Sequence, residues 1–487
     1  MPRHSIVILF LICFAQLSAP MVAKSAEVDF SAYVLTDIRF TVEGPSRFNY
    51  NENTLNLAIK PKLSDQVWFY GDVNIINTQL GKKEVTIEDQ QNRSQTDPVR
   101  LEVDQAYAKI SGLGWKNLDL RIGKQRIAWG TGDRFNPTDN LNPDNMHDPL
   151  DFGKKTPTVG ILAMIYAGPV TLHGVLMPFF EPATLPLTDV RRIFEAQFRT
   201  MGSQFTIDTG NSTLDKIFKS MMNDTLTKAS LGELSVHSAM PDLTPANMQA
   251  AFKISGTASV VDMSACYEYV IDDFGVPKTV TMGVDNPLNV TKVDVDVAQV
   301  FPRLHVIGAD MAATLPFLWD IGTWAEAAYF IPQRMTTTYK LNAGGFNSTL
   351  GRLAGSYDKN GIVIGKDRPL DEGYVKATAG LDYTFPGAYY VNVQYVRGLP
   401  NDNTNKLVEN YIFGGLDKPF LYNSIKTRLF SGYCFGDSSW IIFPQVTFVP
   451  LTNVEFIIGG LFVFGKADTK FGAFGDDTVF TKAKVSF

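Results

Sequence analysis

The sequence predicts an all-β protein, a transmembrane antiparallel β-barrel of about 18 strands with 16 as the alternative. Three observations predict it. Apolar side chains recur at every second position over long runs, the connectors between runs alternate between short and long, and no stretch after the N-terminus offers the roughly 18 apolar residues of a spanning helix. Composition agrees: 34 Phe, 12% aromatics and a mean hydropathy of −0.03 accompany only 19% charged residues, below the roughly 25% of an average globular domain. The alternatives are a β-sandwich, which would show strands of roughly 5 to 6 residues, and a β-helix, which would show a fixed repeat. Neither pattern is present.

The first element is a secretory signal peptide over 1–25: Arg3 and His4, an apolar run from Ile6 to Phe14, then small residues around Ala23 to Ala26. Residues 26–487 form the barrel. Cys13 lacks the small residues of a lipid-anchor site before it, and Cys266 and Cys434 are too few for a disulfide framework, so both are expected as free thiols. A net charge of −6 excludes a basic surface for nucleic acid.

Alternation then places the strands. In VDFSAYVLTDIRF, Val28, Phe30, Ala32, Val34, Ile38 and Phe40 share one face. In YVKATAGLDYTFP the outward set is Val375, Ala377, Ala379, Leu381, Tyr383 and Phe385; in NVEFIIGGLFVFG it is Val454, Phe456, Ile458, Phe462 and Phe464. The runs fall near 28–41, 53–62, 66–77, 101–110, 116–126, 158–167, 169–180, 247–256, 259–270, 293–313, 322–332, 373–385, 388–398, 408–416, 421–435, 439–449, 453–465 and 477–487. Tight turns at 61–65, 111–114, 167–168, 255–257, 386–387 and 450–453 alternate with long loops at 78–100, 127–157, 181–246, 271–291, 333–371 and 466–476. Short turns on one side and long loops on the other are the asymmetry of an outer-membrane barrel with both termini inside. The chain ends on a strand, with Val479, Thr481, Ala483, Val485 and Phe487 on one face.

One stretch breaks the pattern. In TDVRRIFEAQFRTMG and STLDKIFKSMMND, helical faces run through Val190, Ile193, Phe194, Phe198 and Met201, and through Leu214, Ile217, Phe218, Met221 and Met222, with Ser212 or Thr213 as N-cap. The sequence therefore predicts a helical insertion in the loop 181–246, packed on the rim or folded into the lumen as a plug.

The terminal strand with Phe487 resembles the signal by which Gram-negative outer-membrane barrels are recognised by their insertion machinery. The stretch from Asp104 to Pro143, DQAYAKISGLGWKNLDLRIGKQRIAWGTGDRFNPTDNLNP, is similar to a motif of uncharacterised porin-like barrels and, more loosely, of alginate-export-type barrels. The matching positions are Arg121, Gly123, Gln125, Trp129, Gly130, Asn136, Pro137, Asn142 and Pro143. The resemblance implies a Gram-negative outer-membrane location and, with the composition, outer-membrane lipids, the barrel-insertion machinery and small solutes as partners.

Parity assigns a lumen lined by Asp29, Asp37, Arg39, Asp119, Arg121, Gln125, Asp262, Glu268, Asp294, Asp296, Lys376, Asp382, Lys426, Arg428, Lys482 and Lys484. Such charges are tolerated because the interior is wet, whereas a Lys or Arg on the lipid face costs about 2–4 kcal/mol near the midplane. They either pair with one another or set up a transverse field that selects solutes. The Asn-, Asp- and Pro-rich loop after Gln125 is expected to present Trp129, Asp133, Arg134, Asn136 and Asp144 as a constriction. Asn140, Asn142, Asp144 and Asp151 show part of a calcium-loop spacing, but Pro143 interrupts it and the closing Glu is absent. No metal or other cofactor is expected. Gly436-Asp437-Ser438 has no histidine near it in sequence, and His147, His173, His237 and His305 are scattered, so no enzyme is expected. The expected function is a porin-like channel for passive, in its sharper form substrate-selective, diffusion of small solutes. The alternatives are a closed structural or surface-binding barrel and an uptake channel for hydrophobic compounds.

Overall fold

The computed structural model describes residues 27–42, 47–78, 98–185, 211–213, 215–216, 219–220, 230–284, 291–344, 347, 352, 357–358 and 361–487. The signal-peptide assignment lies outside them. In chain order the strands are β1 (Glu27–Thr41), β2 (Arg47–Lys62), β3 (Val67–Thr78), β4 (Val99–Ser111), β5 (Leu118–Gln125), β6 (Thr158–Ala167), β7 (Val170–Met177) and β8 (Ser230–Ala239). There follow β9 (Gln249–Ala258), β10 (Val261–Ile271), β11 (Val276–Gly283), β12 (Lys292–Val300), β13 (Arg303–Leu315), β14 (Ile321–Pro332), β15 (Met335–Asn342) and β16 (Tyr357–Asp358). The last are β17 (Gly361–Leu370), β18 (Tyr374–Phe385), β19 (Tyr389–Arg397), β20 (Asn410–Phe420), β21 (Ile425–Cys434), β22 (Trp440–Leu451), β23 (Val454–Phe464) and β24 (Thr478–Ser486).

Eighteen of these close into one antiparallel barrel, and each strand pairs with the next barrel strand in the chain. The seam is β1 against β24, where Asp37 faces Lys482 and Leu35 faces Lys484. Phe487 completes it: Ala32 N donates to Phe487 O at 2.7 Å and Phe487 N to Ala32 O at 2.9 Å. A closed ring leaves no edge of unpaired backbone, which hydrocarbon would not tolerate. The period of two then divides the side chains. Phe30, Val34, Phe252, Ile307, Tyr329, Val375, Leu381, Phe456 and Ile458 stand exposed on the outside, the apolar surface that lipid requires. The start of β1, the end of β24 and the tight turns, such as Gly168 to Pro169, Ser259 to Val260 and Thr452 to Asn453, share one end.

Three of the long connectors at the opposite end are not loops. Residues 276–283, 292–300 and 335–342, with 230–239, 357–358 and 361–370, form a second sheet of six strands in the order β16-β17-β15-β11-β12-β8. Its core is Leu231, Val280, Met282, Val293, Val295, Val297, Leu341, Ile362 and Ile364. It continues the barrel wall outward, because β10 runs into β11, β12 into β13, β14 into β15 and β17 into β18. The order is exchanged on the way: β13 sits beside β14 in the barrel, yet above the rim β11 lies parallel to β15.

This corrects several sequence expectations. The single strand expected over 293–313 is two strands, broken at Pro302, which lacks the N–H that a ladder needs. Asp294 and Asp296 consequently belong to the outer sheet and do not line the lumen. The strands expected at 408–416 and 421–435 turn at 421–424, where Leu421, Tyr422 and Asn423 take positive φ. The helical insertion over 181–246 is not supported as predicted. Its first helix lies outside the described residues, and its second is described only at 212–213, 215–216 and 219–220, where the backbone is helical. There the cap is Asn211, whose Oδ1 accepts from Thr213 N at 3.0 Å. Residues 230–239 of the same insertion are strand β8, lying parallel to β12.

Candidate functional site

The lumen is built from three connectors that fold inward: 126–157, 398–409 and 465–477. The first crosses it. Arg126 pairs with Asp139, and Asn142 ties the loop base together, accepting from Ile127 N at 2.8 Å and donating to Thr158 Oγ1 at 3.0 Å. Ile127, Trp129 and Leu141 then pack on Leu162, Val175, Met177, Val306 and Phe330 of the inner wall. That side of the barrel is packed with apolar side chains.

Two anchors hold the loop against the rest of the wall. On β14 the Glu326 carboxylate accepts from Thr131 N at 2.9 Å, Gly132 N at 3.2 Å, Thr138 N at 2.6 Å and Thr138 Oγ1 at 2.8 Å. The backbone must come close for this. A Cβ on Gly130, at φ 85°, would stand 2.6 Å from Glu326 Oε2, so the Trp129-Gly130 step needs its glycine. On the opposite wall, Arg39 of β1 makes a bidentate pair with Asp148 at 2.6 Å and a second pair with Asp37 at 2.6 Å. Lys482 of β24 reaches the same Asp37 at 3.0 Å, and the Arg39 guanidinium lies 4.1 Å from the Tyr50 ring centroid. Burial works to raise the Asp148 carboxyl, but the hydrogen bonds and charge of Arg39 outweigh it and hold the group below its ordinary value. The loop tip rests on rings: Phe135 stacks on Phe413 at 4.8 Å, and Phe152 lies 5.4 Å from Phe474.

The outer mouth carries a buried charge network. Asp144 N donates to Asp273 Oδ2 at 2.6 Å, and Lys155 Nζ reaches Asp144 Oδ2 at 2.9 Å. Asn403 donates to Asp272 at 3.3 Å, and Lys376 Nζ donates to Leu399 O at 2.8 Å and Pro400 O at 2.9 Å, which fixes the inward fold of 398–409. Asp273 is raised by burial first and by the Asp144 charge second; Lys155 opposes and Asp272 adds to the rise. A raised carboxyl binds its proton more tightly in the folded state, so the fold loses stability as pH rises through that folded value. Asp273→Asn, which still accepts from Asp144 N, should therefore raise the thermal midpoint over wild type at pH 8, with the gain shrinking at pH 5. An equal difference at both pH values would refute the assignment.

The residues expected in the lumen distribute unevenly. Asp37, Arg39, Asp119, Arg121, Gln125, Asp262, Glu268, Lys376, Asp382, Lys426, Arg428, Lys482 and Lys484 do sit at inward register positions, and Asp29 lies at the exposed start of β1. Pairing dominates among them. Asp119 meets Lys109 at 2.9 Å and Arg428 meets Asp417 at 2.7 Å, each across adjacent strands, and Lys426 of β21 reaches over β22 to Glu455 of β23 at 3.8 Å. Lys484 lies over Tyr33 at 4.6 Å. Gln125 and Glu268 are fully buried, as are the inward Cys434 and nearly so Cys266, both free. Of the five residues expected at the constriction, Trp129 and Asp144 are buried and Asn136 is partly covered, so they support the loop from beneath. Only Asp133 and Arg134 are exposed.

These two face what remains open. A cavity of about 380 Å³ lies between the loop tip, at Asp133, Arg134, Leu150 and Phe152, and the wall of β19 to β24. The wall supplies Tyr390, Asn392, Asp417, Arg428, Phe430, Phe443, Gln445 and Lys482. Sequence reasoning missed Glu326, the central anchor. Its signal was an acid at an inward position of GTWAEAAYF, between inward Trp324 and Ala328.

No protein-family model matches the chain, and no curated protein matches it. Among solved structures it is similar to Pseudomonas aeruginosa OccK8 (OprE), with 11% identity and a TM-score of 0.45 over 95% of this chain and 98% of that one. It is similar to Acinetobacter baumannii OccAB3, with 10% identity and a TM-score of 0.47 over 96% and 100%. Salmonella typhi OmpF, solved in complex with daunomycin, follows at 9% identity and 0.35 over 95% and 98%. Scores of this size carry no argument, and the fold rests on the barrel's own ladder. The looser likeness to alginate-export-type barrels rests on the Asp104 to Pro143 motif alone.

Proposed function

We propose that the chain is an outer-membrane channel for passive diffusion of small polar solutes, narrowed to one side by the loop 126–157. The observation that carries this reading is the cavity between Asp133 and Arg134 of the loop and Asp417, Arg428, Gln445 and Lys482 of the wall, inside a barrel whose outside is apolar. Groups of both signs lining a water-accessible lumen suit polar solutes and oppose apolar ones. The proposed selectivity residues are these six, with Lys426, Lys484 and Asp382 on the same inner wall. In this reading the 181–246 insertion is a rim element, supported by the pairing of β8 with the outer sheet. Phe487, exposed at the end of the closing strand, serves as the insertion signal, and residues 1–25 direct export.

Planar-bilayer recording of the purified full chain tests the reading. Stable, voltage-independent unitary steps are expected, with weak preference between cations and anions because the wall charges are paired. A bilayer that stays silent at all salts and voltages after verified insertion would favour the closed barrel instead.

A further inference from the structure

The cavity beside the loop has two chemically distinct sides. One is aromatic. Phe430 and Phe443 face each other across β21 and β22, Phe443 lies 5.6 Å from Phe480 and Phe152 lies 6.2 Å from Phe430, while Phe413 backs Phe430 at 5.8 Å. Four rings from the loop and three strands thus form one continuous apolar surface on the cavity wall. The other side is polar: Arg428 beside Gln445, Asp417 beside Tyr390, then Asn392 and Lys482.

The polar side discriminates among solutes. Arg428 donates to both Asp417 oxygens at 2.8 and 2.7 Å, and Lys482 is engaged by Asp37. The lining carries Arg134, Arg428 and Lys482 against Asp133 and Asp417, with Asp37 held on Lys482, so the two signs offset and neither an anion nor a cation meets a surface of one sign. Hydroxyl groups, which both donate and accept, fit a row where donors and acceptors already stand side by side. A flat face fits the rings. The volume, about 380 Å³, lies at the small end of the roughly 300–1,000 Å³ of small-molecule sites.

We infer that this cleft is a binding subsite for an uncharged ring solute with apolar faces and a hydroxylated edge, the chemistry shared by pyranose sugars and hydroxylated arenes. The ring lies against Phe430 and Phe443, and its hydroxyls meet Arg428, Asp417 and Gln445. The inference rests on the channel reading above and adds its solute class.

Single-channel recording tests it with three probes: cellobiose, catechol and the open-chain polyol sorbitol. At millimolar concentration the ring solutes should interrupt the current and sorbitol should not. Phe430→Leu, which keeps bulk and removes the flat face, should shorten the interruptions at least tenfold in the same trace. A response to cellobiose alone selects sugars, and one to catechol alone selects arenes; either supports the site. A conducting channel that treats sorbitol and both ring solutes alike overturns the inference and leaves the channel reading standing. Should no conductance appear, the channel reading falls, and calorimetric titration of detergent-solubilised protein decides the site. Heat from a ring solute that is lost in Phe430→Leu supports it, and no heat overturns it.

Discussion

Glu326→Ala should release the loop 126–157. The substitution leaves Thr131 N, Gly132 N, Thr138 N and Thr138 Oγ1 without their acceptor. A hydrogen bond to a charged group contributes about 1.5–3 kcal/mol, and although four on one carboxylate do not add, their joint loss amounts to several kcal/mol locally. The barrel ladder does not pass through these bonds, so the wall should persist while the loop moves. Unitary conductance should rise about twofold, with added current noise, and protease should cut within 126–157 where wild type resists. Glu326→Gln should fall between, since its amide nitrogen meets donors where an oxygen stood. Unchanged conductance and protease resistance in Glu326→Ala would show that the packing of Ile127, Trp129 and Leu141 holds the loop alone.

Arg39→Met should produce the largest loss of stability. It leaves the buried Asp37 and the half-buried Asp148 with Lys482 as the remaining cation nearby, and breaking a buried pair by removing one partner costs about 3–5 kcal/mol. Chemical denaturation in lipid vesicles should show the midpoint falling accordingly, with Arg39→Met/Asp148→Asn recovering part. The sign with pH follows from Asp148. Its folded value is depressed, so the stabilisation is complete above the ordinary carboxylate value, roughly 3.9, and is lost as pH falls through the folded one. Wild type should therefore keep the anchor at pH 5. An Arg39→Met protein that unfolds at the wild-type midpoint would mark the cluster as marginal.

The wall was legible in the sequence because side-chain direction in a strand depends on parity alone. Val375 to Phe385 and Val454 to Phe464 fall outward as alternation predicts, and the opposite parity carries Lys482 and Arg428 inward. The interior of the loop was not legible. Whether Trp129 points at solvent or at Leu162 is decided by Glu326, almost 200 residues away, and no local pattern encodes that contact. The outer sheet was missed for a related reason. VPKTVTMG and MTTTYKLN alternate only over 8 residues each, and their pairing is parallel between separate connectors. The alternation on both sides of Pro302, Val293 to Val297 before it and Leu304 to Val306 after it, hid the junction between β12 and β13.

That exchanged strand order bears on biogenesis. Because β8 pairs with β12 and β11 with β15, the outer sheet cannot knit until strands from three separate connectors have come together. Late, long-range pairing of this kind is slow to form. The outer sheet is therefore expected to close last, and its resistance to protease in cells would report that all three connectors had arrived.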